Sequence, residues 1–169
     1  LEIFKQKDIE VLLLSDRVDE WLVANFGDYE EFPLKSIAKG DLEDLDSKED
    51  KKKKEKTAKD FEKVITKVQK ILENQVKEVK VSSRLSESPS CLIADENEMG
   101  SNMERIMKSL GQDVPETKPI LEINPKHPLV KKLKTKVDKD LVKVLFDQAV
   151  LSEGGQIKEP AEFVKRMNK

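Results

Sequence analysis

The stretch that decides the fold spans residues 121–133 and reads Leu121-Glu122-Ile123-Asn124-Pro125-Lys126-His127-Pro128-Leu129-Val130-Lys131-Lys132-Leu133. Its first residues continue the apolar Ile120 and favour a short strand. The two prolines bracket a turn, because proline lacks the amide hydrogen that the interior of a strand or helix needs. Pro128 precedes a periodic apolar segment, and proline is favoured as the first residue of a helix. The stretch therefore predicts a strand, a turn and a helix.

Further elements lie upstream of this stretch. Two short β-branched segments, at residues 76–81 and 91–94, predict two more strands, separated by a turn at residues 86–89. A longer helix is predicted before them from apolar residues at three- and four-residue steps, namely Ala58, Phe61, Val64, Ile65, Val68, Ile71 and Leu72. Helices and strands mixed in this order predict an α+β fold, a small sheet covered by helices.

The C-terminal block predicts self-association. Apolar residues between Val137 and Leu151 wrap most of the way round one helix, so this helix needs two surfaces to pack against. A turn at Gly154-Gly155 leads to a second helix that begins at Pro160. Such a helical hairpin is completed by its copy in a homodimer, as a four-helix bundle, unless both faces are covered within one chain. The predicted interface residues are Leu141, Val144, Leu145, Gln148, Leu151, Phe163 and Met167.

A methionine-rich stripe lies between the second and third predicted strands. Its members are Met99, Met103, Ile106, Met107 and Leu110, on a helix that Gly111 ends. Methionine is flexible and polarizable, so such a face can adapt to varied apolar partners. A stripe of this kind is more often part of a core. On the residues alone, both interpretations stay open.

The N-terminal block predicts a strand over residues 9–14, covered on both faces, and then a helix capped by Ser15 or Asp16. A second strand is predicted over residues 32–37, partly exposed because Pro33 interrupts the ladder. The chain starts at Leu1 and not at Met, so we expect a piece of a longer protein whose upstream part supplies the missing strands. Residues 40–59 are rich in Asp, Glu and Lys and predict a linker or a solvated helix extension.

Composition and motifs exclude several classes of function. With 39% charged residues and a net charge of −2 over 169 residues, neither nucleic acid nor membrane is expected as a partner. The single cysteine, Cys91, allows no internal disulfide and fits a reducing compartment. We find no phosphate-binding glycine loop, no metal-ligand spacing and no nucleophile motif, so no catalytic, cofactor or metal residue is assigned. His127 and Cys91 are interpreted as structural residues.

Four motifs in order resemble the heat-shock protein 90 chaperones. Lys118-Pro119-Ile120 with the stretch that follows it resembles a strand-turn-helix segment near the end of that family. Residues 14–21 (Leu14-Ser15-Asp16-Arg17-Val18-Asp19-Glu20-Trp21) resemble the end of its middle domain. Ser83-Arg84-Leu85 with Ser88-Pro89 resembles its C-terminal domain, and Asp147-Gln148-Ala149 its dimer helix. The resemblance implies a middle-domain tail at residues 1–45, a charged linker at 46–57 and a C-terminal dimerisation domain at 58–169.

The resemblance also implies a function. The chain would tether two protomers of an ATP-dependent chaperone in the cytoplasm, as a homodimer that binds non-native client proteins and possible co-chaperones. Client contacts are implied at Trp21, Met99, Met103, Ile106, Met107 and Leu110. The family binds ATP and magnesium in an N-terminal domain that the resemblance places outside this chain, so we expect no enzyme activity and no cofactor here. The alternative is a self-associating helical scaffold or adaptor that binds one specific partner.

Overall fold

A computed structural model of the protein describes residues 1–14, 16, 18–40, 48–95, 98, 101–115 and 117–169. The helices of this part are α1 (Glu2–Gln6), α2 (Asp19–Asn25), α3 (Lys48–Ile71), α4 (Ser101–Ser109), α5 (Pro128–Thr135), α6 (Lys139–Ser152) and α7 (Pro160–Met167). The strands are β1 (Asp28–Tyr29), β2 (Phe32–Pro33), β3 (Glu78–Val81), β4 (Ser90–Ile93) and β5 (Ile120–Ile123). The chain is α+β, as its pattern of elements predicts.

The stretch at residues 121–133 lies at the centre of the main sheet. β5 pairs in parallel with β3 and antiparallel with β4, so that Leu121 lies opposite both Val79 and Leu92. All four residues of β5 are buried, as expected for a central strand. The chain then turns, and α5 begins at Pro128 with His127 as its N-cap, whose Nδ1 accepts a hydrogen bond from the Leu129 amide at 3.2 Å. The predicted strand, turn and helix are confirmed.

The hydrophobic core lies where α3, α5 and α6 meet the main sheet. The apolar stripe of α3 faces this core, as predicted from its spacing. Leu121, Val130 and Ala149 are fully buried within it. The buried members of the core are Phe61, Val64, Val68, Leu72, Val76, Val79, Val81, Leu121, Ile123, Val130, Leu133, Val142, Leu145 and Ala149.

The N-terminal block differs from its prediction. Residues 9–14 form no strand, and Leu13 is 75% exposed, so the prediction of a strand covered on both faces is wrong for this chain. A strand needs a neighbour to accept its hydrogen bonds, and no described strand pairs with this segment. The second predicted strand shortens to β2, which forms a small hairpin with β1.

The start of α2 also differs from the expected cap. Its N-cap residue is Val18, and no side chain caps it. Asp16 instead accepts a hydrogen bond from the Val18 amide at 3.3 Å, while its own amide donates to Asp19 Oδ2 at 2.7 Å. Ser15 lies outside the described residues. The acidic residues therefore order the turn before the helix.

The charged segment is helical over its described second half. α3 starts at Lys48, so the charged residues from there to position 57 extend the helix beyond its core-facing part. This is the solvated helix extension that the charge run allows. Residues 41–47 lie outside the described part of the chain.

Candidate interaction surfaces

The hairpin of α6 and α7 is fixed by local interactions at each turn. The Asp138 carboxylate caps α6 by accepting hydrogen bonds from the amides of Asp140 (2.9 Å) and Leu141 (3.0 Å). Gly154, at φ 72°, ends the helix in the left-handed conformation that glycine tolerates best. Across the hairpin, Arg166 Nη1 lies 3.3 Å from Asp147 Oδ2. Burial raises the pKa of Asp147 in spite of the Arg166 charge, which lowers it.

The predicted interface residues fall into two groups. Val144 and Leu145 are buried within the chain, and Leu145 belongs to the core, so we expect both to act in folding more than in contacts with a second chain. Leu141, Gln148 and Phe163 are half-buried. Leu151 and Met167 are exposed, at 47% and 51%.

The same hairpin therefore leaves apolar surface exposed. Val164 of α7, at 55%, adds to the exposed side chains of Leu151 and Met167. On α6, Gln148 Oε1 is buried and lacks a hydrogen-bond partner among the described residues, an arrangement that costs free energy. We name Leu151, Val164 and Met167 the hairpin face.

We name the described residues of positions 1–40 the N-terminal segment. An open cleft of about 1050 Å³ lies between this segment and the main sheet. One wall is formed by residues 9–14 and 33–39. The other wall includes Leu92 and Ile93 of β4, Val150 of α6, and Glu104 and Arg105 of α4. Clefts of this size with mostly apolar walls are where proteins usually bind ligands or peptides.

The methionine-bearing helix, α4, lies at the edge of this cleft. Met103, Ile106 and Met107 are half-buried and outside the core cluster, and Leu110 is 66% exposed. Met99 lies outside the described residues. Gly111, at φ 75°, ends the helix as predicted. The stripe is thus neither a full part of the core nor a fully free surface.

Polar contacts hold α4 in place. Arg105 Nη1 donates a hydrogen bond to the carbonyl oxygen of Gly154 at 3.0 Å, which links α4 to the turn after α6. Glu104 pairs with Lys108 and accepts a hydrogen bond from Thr117 Oγ1 at 3.0 Å. Burial raises the pKa of Glu104, but these partners outweigh it and lower the pKa overall.

A series of large apolar side chains is exposed along residues 12–32. Trp21 is 71% exposed, so little of it is packed against the described residues. The other members of the series are Leu12, Leu13, Leu14, Val18, Leu22, Phe26, Tyr29 and Phe32. Large apolar side chains crowded into one exposed segment are typical of an interaction site. We name this series the N-terminal apolar series.

The side chains of Glu2 and Arg84 make polar contacts at the two ends of the N-terminal segment. Glu2 accepts hydrogen bonds from the backbone amides of Ser86, Glu87 and Ser88. At the other end of the segment, Arg84 donates hydrogen bonds to the carbonyl oxygens of Ile37 and Gly40, both at 2.6 Å.

Sequence reasoning missed both of these contacts. A charged residue among the apolar residues of a strand, here Glu122, is a signal for a buried ion pair, and its partner is Arg84. For Glu2 no such signal exists, because its partners are backbone amides more than eighty positions away.

The remaining candidate residues are placed as structural. Cys91 is half-buried, and burial, followed by the charge of Glu122, raises the pKa of its thiol to about 12.

Within the described residues, no three His, Cys, Asp or Glu side chains lie together as a possible metal site. None of the described helices combines the length and the apolar character that a membrane span requires.

Comparison with known proteins gives close matches over the whole chain. The family model described as "Hsp90 protein" matches residues 1–169. A relative named Chaperone protein HtpG, from Ruthia magnifica subsp. Calyptogena magnifica, is 81% identical over 169 residues, which cover 100% of this chain and 27% of that relative. Proteins of the same name from Vesicomyosocius okutanii subsp. Calyptogena okutanii and Nitrosomonas europaea are 78% and 53% identical, with 100% and 99% of this chain covered. In each case the chain spans 27% of the relative's length.

These matches correct two expectations from the sequence: that the chain is no enzyme because it lacks the ATPase domain, and that it takes no cofactor. The matched model is that of the Hsp90 protein itself and covers every residue of the chain. Two relatives named Chaperone protein HtpG match 100% of this chain as well, over 27% of their own length. Since every residue of the chain is matched to the Hsp90 protein family, neither expectation stands.

Proposed function

Because the chain belongs to the Hsp90 protein family, we propose that it forms the dimerisation and client-contact region of a chaperone of the HtpG type. In this proposal, residues 1–45 are the last part of the middle domain, residues 46–57 a charged linker and residues 58–169 the C-terminal dimerisation domain. The partners are a second copy of the chain and non-native client proteins in the cytoplasm, with co-chaperones as further candidates.

The hairpin face carries the proposal of dimerisation. α6 packs one side on the core through Val142, Leu145 and Ala149, yet the hairpin still exposes about half of Leu151, Val164 and Met167. A second hairpin packed on this face would bury these side chains in a four-helix bundle. Joining two chains in this way raises the effective concentration of their other domains for each other.

Sedimentation equilibrium over a wide range of concentrations tests the dimer. We expect the wild-type chain to be a dimer, and Met167→Glu and Leu151→Glu to shift it to a folded monomer, because each places a charge on the apolar face. Leu13→Glu is the control, since Leu13 is also apolar and is even more exposed, but lies in the N-terminal apolar series. A substitution at Leu145 would not serve, because a charge in the core would unfold the chain.

A wild-type chain that stays monomeric at high micromolar concentration would overturn the proposed dimer. A dimer that Leu13→Glu abolishes, while Met167→Glu leaves it intact, would place the interface on the N-terminal apolar series instead.

Client contact is supported by two exposed apolar regions near the cleft. Trp21 and its neighbours are exposed along the N-terminal apolar series, and α4 presents Leu110 with half-buried methionines beside it. Surfaces that combine aromatic and methionine side chains can adapt to many apolar sequences, which non-native polypeptides require.

Binding of several unrelated unfolded proteins, labelled with a fluorophore and followed by anisotropy, tests client contact. We expect weak binding of casein and of reduced, carboxymethylated α-lactalbumin alike, and we expect Trp21→Ser and Leu110→Ser to weaken both. Met167→Ser is the control, because it removes an exposed apolar side chain from the hairpin face only. Failure to bind either protein would overturn client contact and favour the adaptor that recognises one partner.

A further inference from the structure

Few of the described side chains of the N-terminal segment are buried. Among the described side chains of residues 1–40, Phe4 is the one that is buried. Residues 9–14 and 33–39 line the cleft as one of its walls, with exposed or half-buried side chains. The contacts at its two ends therefore decide whether this wall stays in place.

At the first end, the loop at residues 86–88 binds the carboxylate of Glu2. Glu2 Oε2 accepts hydrogen bonds from the amides of Ser86 and Glu87, both at 2.6 Å, and Oε1 accepts one from Ser88 at 3.0 Å. Ser86 Oγ is a fourth donor, at 3.3 Å from Oε2. Successive amides that converge in this way form a concave site for an anion. In this structure the anion is part of the chain itself.

At the second end, backbone hydrogen bonds join residues 38–40 to β4. The Ala94 amide donates to Ala38 O and the Gly40 amide donates to Ala94 O, both at 3.1 Å. Arg84 adds its two hydrogen bonds to Ile37 O and Gly40 O. This end is joined by main-chain pairing and by hydrogen bonds from the charged guanidinium of Arg84, so it is the firmer of the two attachments.

We propose that Glu2 is a latch. Its carboxylate, bound in the loop at residues 86–88, holds α1 and the following cleft wall against the sheet, and its release lets the wall swing about residues 37–40 and widen the cleft. The inference does not depend on the proposed function, since it concerns contacts within one chain.

The latch has the properties that a releasable contact needs. All its donors belong to one loop and all its acceptor atoms to one side chain, so a single displacement breaks every hydrogen bond together. The hydrogen bonds of a charged carboxylate are stronger than those of neutral groups, so the closed state is favoured while the charge is in place. The hydrogen bonds from Ser88, Glu87 and Ser86 outweigh partial burial and lower the pKa of Glu2 to about 2, which keeps it charged at neutral pH.

Two variants of the whole chain separate the latch from simple charge effects. Glu2→Gln keeps the shape of the side chain but loses its charge, and Glu2→Asp keeps the charge but shortens the reach. Glu10→Gln is the control, because Glu10 is an exposed acidic residue on the same cleft wall. Amide hydrogen exchange at residues 86–88 reports whether the loop still donates to a carboxylate.

We expect exchange at residues 86–88 to rise about tenfold or more in both Glu2 variants and to stay unchanged in Glu10→Gln. The amide of Leu121, in the central strand, reports global unfolding and should keep its wild-type rate. If the loop amides keep their wild-type rates in Glu2→Gln, or if Leu121 accelerates along with them, the latch is overturned.

A second measurement uses the single cysteine as a probe of opening. Cys91 lies in β4 directly after the loop and is half-buried, so its reaction with a disulfide reagent should quicken when α1 lifts away. The charge of Glu2 also contributes to raising the pKa of this thiol. Faster labelling in both Glu2→Gln and Glu2→Asp supports the latch, whereas faster labelling in Glu2→Gln alone is a charge effect and contradicts it.

Discussion

The guanidinium of Arg84 and the carboxylate of Glu122 form an ion pair inside the protein, with Nε 3.0 Å from Oε2. The two side chains are only 7% and 3% exposed. Ser82 Oγ donates a second hydrogen bond to the same carboxylate at 2.7 Å, and the remaining nitrogens of Arg84 donate to Ile37 O and Gly40 O. A single arginine thus connects the central strand to the hinge of the N-terminal segment.

Removal of either partner should destabilise the protein strongly. We expect Arg84→Ala and Glu122→Gln each to lower the free energy of unfolding by about 3–5 kcal/mol, because each leaves buried polar groups unpaired. Urea denaturation measures the change. Lys77→Ala is the control, since it removes exposed ion pairs with Asp95 (2.8 Å) and Glu98 (2.9 Å) and should cost much less stability. Equal losses for Lys77 and Arg84 would show that burial of the pair has no such effect.

The turn between α6 and α7 leaves no space for a side chain at Gly155. A Cβ there would lie 2.8 Å from Val150 Cγ1, closer than real Cβ atoms approach, and 3.0 Å from Val150 O, which is tighter than most real Cβ contacts. We therefore expect Gly155→Ala to lower the free energy of unfolding by about 1–3 kcal/mol. At Gly27 nothing lies within 4 Å of the same atom, so Gly27→Ala should change stability by about 0.5 kcal/mol at most. Thermal unfolding of the two variants gives the comparison.

The main sheet and its helices could be predicted from the sequence because local signals and burial agree there. Packing in the core favours the pattern of each of three elements: the strand at Ile120–Ile123, the helix that starts at Pro128 and the stripe from Phe61 to Leu72. Residues 9–14 have the composition of a buried strand but no strand beside them. Composition alone cannot show whether a partner is present.

The candidate surfaces could be predicted less completely. Spacing places Leu145 and Leu151 on the same helix, but only packing decides that Leu145 faces the core while Leu151 is exposed. For α4, the periodic stripe predicts the helix but not its partial burial. The Glu2 contact depends on backbone amides, which every residue except proline carries, so no residue type marks it in the sequence.

The half-buried position of the methionines in α4 predicts a modest effect on stability. Met103→Ala and Met107→Ala should each lower the free energy of unfolding by about 1 kcal/mol, because both side chains are only half-buried. Leu133→Ala, in the core at 1% exposure, should cost about 2–5 kcal/mol. Denaturation in guanidinium chloride measures all three. Losses at Met103 and Met107 as large as that at Leu133 would place them in the core and count against a client surface on α4.

The low pKa of Glu2 predicts a specific loss of stability in acid. Its folded value of about 2 lies below the ordinary 4.5, so its contribution is fully present above about pH 4.5 and is lost as the pH falls towards 2. Burial raises the pKa of Glu153, so its protonation affects the stability in the opposite sense. Because Glu153 is present in both the wild type and the variant, its effect cancels in their difference. Comparison of the wild type with Glu2→Gln by urea denaturation at several pH values therefore isolates Glu2. The difference in free energy of unfolding should be constant from neutral pH to about pH 5 and should shrink steadily below pH 4.5. A difference that stays constant down to pH 2 would mean that the loop at residues 86–88 does not hold a charged carboxylate in the folded protein.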